Sequence, residues 1–436
     1  MTYKAVVAKV INVQKHPNAD RLVTARTSGY TVILGKHVEE DTLGVMFSSG
    51  GRLSPDMLRN NNLYRHTEEN NDPQAKPGFF EENGKVRAQQ IRGIVSEGFW
   101  SPISCLEWTG QDLSKLKVGD QINVVNGHRI CEKYFSPATQ RELNKANNKK
   151  GGFSSKIKLK ELYPHFKEHS NTEKLRNAIA TIPNDRRSIA YISYKIHGTS
   201  GRTGRLLEVK PLKWFHKFFG VEPKREFKYI SGTRRVTMNP KQLAETGSYS
   251  GKQYRAKIHN KLSEIGLYKG ETLYYEIVGF AEDGSFIMGA HNIEDKELKK
   301  VYGSKMVYSY GCDPKDMVIT NRYKVFIYRI TMTDEEGRSR DLPYGQLETR
   351  CKELGLKHVI LAKGPFVLQE REDLFVMCRE LSRGPDPLDP SHIKEGVVVT
   401  IEHPDSTRRF KFKNDAFTAL EGIRSNEFLF DAEDMA

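Results

Sequence analysis

Short segments of alternating apolar and polar residues fill the first 135 residues of the chain. Each carries β-branched or aromatic side chains and is bounded by turn-forming Gly, Asn, Asp or Pro. The clearest segments are residues 3–13, 30–35, 42–49, 85–91 and 121–127. Several short strands at this spacing predict a small β-barrel. We therefore predict a first domain over residues 1–135.

The pattern changes after residue 135. Residues 136–158 are polar and basic, with a glycine pair and few apolar anchors, which is typical of a linker. Over residues 159–436, β-rich segments alternate with segments of helical periodicity at 345–355 and 369–381. The predicted fold class is α+β: a small amino-terminal β-barrel, a linker and a larger mixed domain.

Composition narrows the class of protein. A chain of 436 residues has room for two or three domains with their own apolar cores. Its five cysteines are scattered without a C-x-x-C pair, which argues against a disulfide framework or a cysteine zinc site. No run of 18 apolar residues and no secretory signal is visible. We expect a cytoplasmic protein, monomeric and without a membrane partner.

The positive charge is concentrated in one stretch. The formal net charge is +14, and residues 195–260 alone hold 15 basic against 4 acidic residues. Aromatic residues interleave with these charges at 212–220, a combination that suits a phosphate backbone with stacked bases. The alternative is a solvated surface insertion. We predict a basic aromatic insertion near residues 206–228 whose nucleic-acid contacts are Lys213, Lys217, Lys224 and Arg225.

Candidate chemistry begins at Lys195. No Walker loop occurs in the chain, which excludes a P-loop NTPase. Lys195 ends a β segment and is followed by His197 and Gly198. A lysine at a strand end beside a glycine can project into a cleft where the backbone approaches a nucleotide closely. The alternative is an exposed lysine at a strand end.

Two carboxylates and two lysines extend this candidate site. Glu276 lies in an apolar and aromatic strand and needs a partner such as a ribose hydroxyl or a metal-bound water. Glu395 opens a hairpin. If its turn closes about residue 405, Val397 faces Lys413, Val399 faces Lys411, and Glu395 shares their face. The alternative is a surface hairpin with cross-strand salt bridges.

Five motifs in fixed order resemble those of the covalent nucleotidyltransferases, which comprise ATP-dependent DNA and RNA ligases and GTP-dependent mRNA capping enzymes. They are K-x-H-G at Lys195, the glutamate Glu276, the aromatic strand Phe326–Ile330, E-G at Glu395 and K-x-K at Lys411 and Lys413. The sequence KIHGT is similar to that of the RNA-editing and phage-repair RNA ligases. In the first domain, residues 16–22 and 92–98 resemble OB-fold domains of the tRNA-binding type.

The resemblance implies a nucleotidyltransferase domain built on antiparallel sheets with flanking helices, and an ATP-dependent RNA ligase. Lys195 would attack the α-phosphate of ATP to give lysyl-AMP. The AMP would pass to a 5′-phosphate RNA end, which a 3′-hydroxyl end would then join. A free lysine has a pKa of about 10.4, and Lys411, Lys413 and Mg²⁺ nearby would favour the neutral amine. Glu395 would be catalytic with the three lysines.

The resemblance also implies ligand contacts. Glu276 and Glu395 would hold hydrated Mg²⁺, for which Mn²⁺ could substitute, and His197 occupies the position where most relatives have a metal-contacting Asp. Tyr328, or failing it Phe326, would stack on adenine. Arg234 or Arg235, in a segment similar to motif Ia, would contact nucleotide or RNA phosphates. The full set of nucleotide-binding candidates is Tyr194, Ile196, Gly198, Arg202, Glu276, Phe326, Tyr328, Lys411 and Lys413.

Alternatives to an RNA ligase stay open at this point. They are a GTP-dependent capping-type guanylyltransferase, an ATP-dependent DNA ligase, and an RNA-binding protein with a degenerate transferase domain. The first two carry a carboxy-terminal OB domain, for which the 23 residues after Lys413 leave no room. The complete set of motif residues counts against the third.

Overall fold

The computed structural model describes residues 3–135, 159–169, 172–183, 187–210, 223–249, 251–293, 295–403 and 406–420. The linker predicted over residues 136–158 lies outside these ranges. Mixed α and β structure runs through the described chain, and its sheets are mostly antiparallel with helices packed on them. The predicted α+β class is confirmed.

Short strands build residues 3–135, as the alternating pattern predicts. They are β1 (Ala5–Lys9), β2 (Ile11–Lys15), β3 (Leu22–Thr27), β4 (Tyr30–Gly35), β5 (Leu43–Ser48), β6 (Gly51–Leu53), β7 (Gln89–Ile91), β8 (Ile94–Ser96), β9 (Gly98–Pro102), β10 (Gln121–Ile122), β11 (Val124–Val125), β12 (His128–Arg129) and β13 (Cys131–Lys133). The segment at 3–13 forms two strands rather than one, because the chain leaves the β1 sheet and enters a second sheet at β2.

Two sheets organise this amino-terminal part. One has the strand order β10-β1-β5-β9 and the other β2-β3-β4, and smaller pairs join β6 to β13, β7 to β8 and β11 to β12. The amino-terminal part also contains one helix, α1 (Pro55–Asn60), and 3₁₀ turns at Thr67–Glu69, Ile103–Thr109 and Leu113–Lys115. The core between them buries Phe47, Met57 and Leu106 completely.

Longer strands and more helices build the rest. The strands are β14 (Glu173–Lys174), β15 (Ile189–Tyr194), β16 (Thr199–Val209), β17 (Arg225–Thr233), β18 (Glu271–Gly279), β19 (His291–Asn292), β20 (Lys305–Met306), β21 (Tyr323–Thr333), β22 (Ser339–Asp341), β23 (Leu361–Val367), β24 (Gly396–His403) and β25 (Ser406–Lys413). The helices are α2 (Leu159–Leu162), α3 (Leu175–Ala178), α4 (Pro240–Thr246), α5 (Tyr254–Glu264), α6 (Lys296–Tyr302), α7 (Tyr344–Glu353), α8 (Arg371–Leu381) and α9 (Asp415–Leu420), with 3₁₀ turns at Ile179–Thr181 and Ile319–Asn321.

Two five-stranded sheets carry the motif residues. The first, which we call the lysine sheet, has the order β14-β25-β24-β15-β23, and only β14 runs parallel to its neighbour. The second, the glutamate sheet, has the order β17-β16-β18-β21-β22. Alternation along β24 and β25 buries Val397, Val399 and Phe410 against α3 and α8. In the glutamate sheet, Leu273 and Ile327 pack against α5 and α7. The opposite faces of both sheets are left for the polar motif residues.

A buried ion pair joins the amino-terminal part to the lysine sheet. Arg176, on α3, is 8% exposed, and its Nη1 donates to Oε1 of Glu97 at 2.7 Å. The guanidinium also lies about 5 Å from the ring centres of Tyr30, Phe375 and Phe412. Because a buried charge is costly without such partners, this contact fixes the two parts against each other.

All five cysteines are buried free thiols. None of the helices in the described ranges has the length and apolar character needed to cross a membrane.

Candidate active site

Lys195 directly follows strand β15 and lies at the centre of a cluster of charges. Its backbone N–H donates to the carbonyl of Gly396 at 2.9 Å, which ties the end of β15 to the start of β24. Its Nζ lies 2.6 Å from Oε2 of Glu395. The Lys195 side chain is 24% exposed, whereas that of Glu395 is 4% exposed. The amine is therefore accessible from the cleft while the carboxylate behind it is buried.

Glu395 lies close to two lysines and a histidine. Besides Lys195, Nζ of Lys413 lies 3.5 Å from its Oε1, and Nδ1 of His197 lies 3.5 Å from its Oε2. Burial alone would raise the pKa of the Glu395 carboxyl. The charge of Lys195 and the hydrogen bond with His197 outweigh burial and hold that pKa well below its ordinary value. The two neighbouring lysines therefore favour the ionised form of Glu395.

The register of the β24–β25 hairpin differs from the predicted one by one residue. Gly396 pairs with Lys413 and Val398 pairs with Lys411. Val397 and Val399 therefore lie on the opposite face from the two lysines, in the apolar core. The predicted pairing of Val397 with Lys413 and of Val399 with Lys411 is wrong, because the hairpin pairs His403 with Ser406 and each residue of β24 is shifted by one relative to β25.

Glu395 still reaches the lysine face, and Gly396 explains how. In the observed register, regular alternation would turn residue 395 away from Lys413. Gly396 has a φ of +150°, a conformation that residues with a Cβ rarely adopt, and a Cβ there would collide with the carbonyl of Phe412. This glycine breaks the alternation at the start of β24 and brings Glu395 to Lys195 and Lys413.

Lys411 occupies the same face as Lys413, two residues away. Burial, followed by repulsion from Lys195 and Lys413, lowers the pKa of Lys411 to about 8. Arg234 and Lys174 contribute further repulsion. A cluster of this kind favours an anionic ligand, because phosphate oxygens would relieve the repulsion between the cations.

Glu276 faces the cluster from the glutamate sheet. Its Oε2 accepts a hydrogen bond from Oγ of Ser200 at 3.1 Å, and the two residues are cross-strand partners on β18 and β16. The pKa of Glu276 is raised to about 7, chiefly because burial disfavours its charge; Lys195 opposes this shift and Glu395 adds to it. The structure therefore brings both predicted carboxylates into the electrostatic surroundings of Lys195.

The aromatic candidates lie on β21. Phe326 pairs with Glu276 across the sheet and is 4% exposed. Tyr328 is more exposed, and its ring centre lies 5.2 Å from that of His169. Burial, with the charge of Glu276 next, raises the pKa of the Tyr328 hydroxyl.

His197 is held by protein groups on each side. Its backbone N–H donates to Oη of Tyr310 at 2.7 Å, and its Nε2 lies 3.1 Å from Nε2 of His291. The rings of Tyr308 and Phe417 pack edge-on against its imidazole. The side chain is 8% exposed. Its contact with Glu395 links this aromatic cluster to the nucleophile.

The remaining nucleotide-binding candidates surround Lys195 less closely. Tyr194 stacks against the ammonium of Lys394 at 5.1 Å, and Ile196 is buried in an apolar cluster. Gly198 approaches β18 so closely that a Cβ would collide with the carbonyl of Ile277. Gly198 therefore sets the spacing between the nucleophile segment and the glutamate sheet.

Arg202 is 1% exposed and is engaged by the backbone. Its Nε donates to the carbonyl of Thr233 at 3.0 Å. Its Nη1 donates to the carbonyls of Phe166 and Lys167, and its guanidinium lies over the Phe166 ring at 4.1 Å. In this position Arg202 holds the segment before the lysine sheet against β16.

The predicted nucleic-acid contacts fall in different places. Arg234 is close enough to Glu276 and Lys411 to shift the pKa of each. Arg235 is exposed beside it. Lys224 and Arg225 are exposed at the far end of the β16–β17 hairpin. Lys213 and Lys217 lie outside the described residues, and residues 206–209 and 225–228 form paired strand rather than an insertion loop.

Several charged residues at the site escaped the sequence interpretation. Arg409 and Arg329 share Asp341, at 3.0 and 2.5 Å, and so join β25 to β21 and β22. Arg255, on α5, donates to the carbonyl of Ser200 and to the hydroxyl of Thr199. Arg409 alternates with Lys411 and Lys413, a period-two signal that was present in the sequence.

Glu276 and Glu395 could bind a divalent ion only together with ligands from outside the protein. In the described ranges, no group of three or more His, Cys, Asp or Glu side chains is arranged to hold a metal by itself. Glu276 and Glu395 offer hard carboxylate oxygens from opposite sheets. Mg²⁺ keeps several waters and is usually bound by one or two carboxylates with substrate phosphates. The two carboxylates fit that type of site, whose remaining ligands come from substrate and water.

Two mostly antiparallel sheets, with a lysine at a strand end of one and a glutamate on the other, form a fold that is shared with solved RNA ligase structures. The chain is similar in structure to the Naegleria gruberi RNA ligase with PPi, with a TM-score of 0.57 at 16% identity over 96% of this chain and 99% of that one. Mutants of the same ligase match too. One with ATP and Mn gives 0.55 at 15% identity, over 97% of this chain and 99% of that one. One with AMP and Mn gives 0.56 at 14% identity, over 96% and 99%.

No protein-family model matches the sequence, and no curated protein matches it. The likeness to the Naegleria gruberi ligase therefore lies in the fold, which extends over nearly the whole length of both chains.

Proposed function

We propose that the protein is an ATP-dependent RNA ligase that joins a 5′-phosphate end to a 3′-hydroxyl end through a lysyl-AMP intermediate on Lys195. The observation that carries the proposal is the convergence of Lys195, Glu395 and Lys413 within 3.5 Å contacts, facing Glu276. The similar folds are described as an RNA ligase with ATP and Mn, with AMP and Mn, or with PPi, which supports this reading.

In the first step the lone pair of the Lys195 amine forms a bond to the α-phosphorus of ATP, and the bond to the β-phosphate oxygen breaks to release pyrophosphate. The amine must exchange its contact with Glu395 for the phosphate and lose a proton. Lys411 and Lys413 favour this loss by repulsion and neutralise phosphate oxygens. Glu395 orients the amine through the 2.6 Å contact.

In the later steps AMP moves from Lys195 to the 5′-phosphate of RNA, and the 3′-hydroxyl then displaces AMP. Each step is a phosphoryl transfer, for which positioning and charge neutralisation provide most of the rate acceleration. The site supplies Lys411, Lys413 and Arg234 for this purpose. A divalent ion held by Glu276 and Glu395 would neutralise charge on the transferring phosphate. Tyr328, which is partly buried on β21, would stack on adenine.

Domain roles follow from the same proposal. Residues 1–135 would be an OB-like nucleic-acid-binding domain, 136–158 a linker and 159–436 the adenylyltransferase domain. RNA repair is the process that needs such an activity, and we propose a monomeric cytoplasmic enzyme. Lys213, Lys217, Lys224, Arg225 and Arg235 would contact the RNA backbone outside the cleft.

Covalent labelling tests the proposal. The protein is incubated with Mg²⁺ and α-labelled ATP or GTP, denatured and separated by electrophoresis. We expect label on the protein from ATP, lost in Lys195→Ala and retained in Lys363→Ala, a control at an exposed lysine on the neighbouring strand β23. Label from GTP alone would indicate a capping-type enzyme, and no label from either would indicate a degenerate transferase. Both results contradict the proposal.

A further inference from the structure

A second cavity lies in the amino-terminal part, away from the two catalytic sheets. It has a volume of about 340 Å³ and is enclosed by strands β4 and β9 and by residues 79–91. All of its lining residues fall between Leu22 and Pro102. This volume is at the lower end of the range for small-ligand sites, so the cavity can take one nucleotide unit and excludes a duplex.

Aromatic side chains form much of the wall. Phe79 is 39% exposed at the rim, and Phe80 packs edge-to-face on Phe99 with ring centres 5.1 Å apart. Trp100 lines the cavity and is 5% exposed. Aromatic faces stack nucleobases of any sequence.

Positive charge lies beside these rings. Arg65, Lys85 and Arg87 line the cavity, and of the acidic side chains only Glu81, paired with Arg65 at 2.6 Å, joins them. Burial, followed by repulsion from Arg87, lowers the pKa of Lys85. Cations held together in this way favour an anion such as a phosphodiester.

A chain of contacts also connects the wall of the cavity to the strand that carries Lys411 and Lys413. Ser96 and Gly98 line it, and Glu97 between them points the other way, into the buried ion pair with Arg176. Arg176 in turn lies 5.1 Å from the ring of Phe412, the residue between Lys411 and Lys413. A ligand in the cavity would therefore be held at a defined position relative to the strand that carries both lysines.

We propose that this cavity binds one unpaired nucleotide of the RNA substrate, with its base against Phe79, Phe99 and Trp100 and its phosphate near Arg65, Lys85 and Arg87. The inference rests on the proposed function and adds a second RNA contact outside the catalytic cleft. RNA is favoured over a free nucleotide for two reasons. The rim of the cavity at Phe79 is exposed, so an RNA strand can continue from the cavity into solvent. The ion pair between Glu97 and Arg176 also holds the cavity at a defined position relative to the catalytic lysines.

Charge reversal tests the phosphate contact. Arg87→Glu is compared with Lys117→Glu, an equal charge change at an exposed lysine of the same part outside the cavity. Loss of one phosphate contact and gain of a repulsive charge should weaken binding of a labelled single-stranded RNA by about tenfold, with a shallower salt dependence. Sealing of pre-adenylylated RNA should fall in parallel in Arg87→Glu. Equal effects of the two variants would overturn the inference.

Two readouts keep this inference separate from the proposed function. Labelling of Lys195 with ATP should be unchanged in Arg87→Glu, since the cavity takes no part in the first step. If the wild-type protein takes no label, the ligase proposal fails whatever the RNA binding shows. If it takes label but RNA binding does not depend on Arg87, the cavity inference alone fails.

Crosslinking provides a test on the wild-type chain. RNA containing 4-thiouridine is irradiated with the protein, and the crosslinked peptides are mapped. We expect a crosslink in residues 79–102, resistant to excess AMP. Crosslinks confined to the catalytic sheets would overturn the inference. Displacement of the crosslink in residues 79–102 by AMP would assign the cavity to a free nucleotide and also overturn it.

Discussion

Two buried glutamates of this protein pair with cations in opposite ways. Glu271, at the start of β18, is fully buried and accepts from Nε and Nη2 of Arg350 at 2.9 and 2.8 Å, and from the N–H of Tyr268 at 2.8 Å. Glu395 is 4% exposed but faces Lys195 at 2.6 Å and Lys413 at 3.5 Å, two separate flexible amines. The Glu271 carboxylate has its hydrogen bonds filled by one rigid guanidinium, whereas the Glu395 carboxylate interacts with two flexible lysine side chains.

The difference separates a structural ion pair from a reactive one. The guanidinium of Arg350 also lies 3.8 Å from the Tyr268 ring, so each of its contacts favours one geometry. Hydrogen bonding with Glu271 raises the pKa of Arg350 above its ordinary value. Around Glu395 two lysines face one carboxylate, and both lysine side chains are partly exposed, at 24% and 28%. That excess of positive charge is what a phosphate substrate can use.

The largest expected effect is on chemistry at Lys195. Lys195→Arg retains a cation for Glu395 but lacks a nucleophilic amine. Transfer of label from ATP should fall by at least about a thousandfold. The free energy of unfolding, measured by urea denaturation, should change little. Substantial labelling of this variant would place the nucleophile elsewhere.

The structural pair should respond in the opposite way. Arg350→Met leaves the Glu271 carboxylate buried without its guanidinium partner, and the free energy of unfolding should fall by roughly 3–5 kcal/mol. Label taken up per folded molecule should be retained, as measured by labelling at low temperature. Arg350→Lys should be intermediate. A loss below about 1 kcal/mol in the methionine variant would contradict the assignment of a structural role.

Glu276 adds a dependence on pH. Its pKa is about 7 in the folded protein against 4.5 as an ordinary value, because burial disfavours its charge. Between these values the folded state binds more protons than the unfolded one, so the free energy of unfolding falls as pH rises. Glu276 keeps part of its surface exposed, and we expect a contribution on the order of 2 kcal/mol.

Glu276→Gln should remove that contribution. Urea denaturation in chelator-containing buffer at pH 5 and pH 8 measures the change in each protein. The wild type should lose more stability over this interval than the variant. Equal losses would mean that Glu276 is charged in the folded state throughout.

The smallest effect is expected at an exposed pair. Lys9 and Asp41 lie 3.2 Å apart with side chains 49% and 71% exposed. Lys9→Met should lower the free energy of unfolding by less than about 1 kcal/mol and leave labelling unchanged, because water and salt screen the pair. Thermal melting at low and high salt checks this result. A larger loss would show that exposure is a poor guide to the strength of these pairs.

Much of the candidate site could be predicted because its charged residues belong to short sequence motifs. Lys195, Glu276, Glu395, Lys411 and Lys413 each lie at a strand or strand end whose apolar pattern is clear in the sequence. The hairpin register could not be predicted, because it depends on where the turn closes. A positive φ at Gly396 then restores Glu395 to the lysine face, which periodicity alone cannot show.

Long-range partners were also beyond the sequence. Residues 92–98 resemble a segment of OB-fold domains, and nothing in them indicates that Glu97 contacts Arg176, 79 residues further on. Arg409 and Arg329 meet through Asp341 only when the two sheets pack. Such contacts depend on tertiary packing rather than local pattern, so they become visible only in the folded chain.

The buried pair of Arg176 and Glu97 bears on how the protein melts. Separating the amino-terminal part from the lysine sheet would leave two charges unpaired in apolar surroundings and expose the rings stacked on Arg176. Unfolding of one part alone is therefore energetically costly for the part that stays folded. We expect a single calorimetric transition whose van't Hoff and calorimetric enthalpies agree, and two resolved transitions would show that the parts are thermodynamically independent.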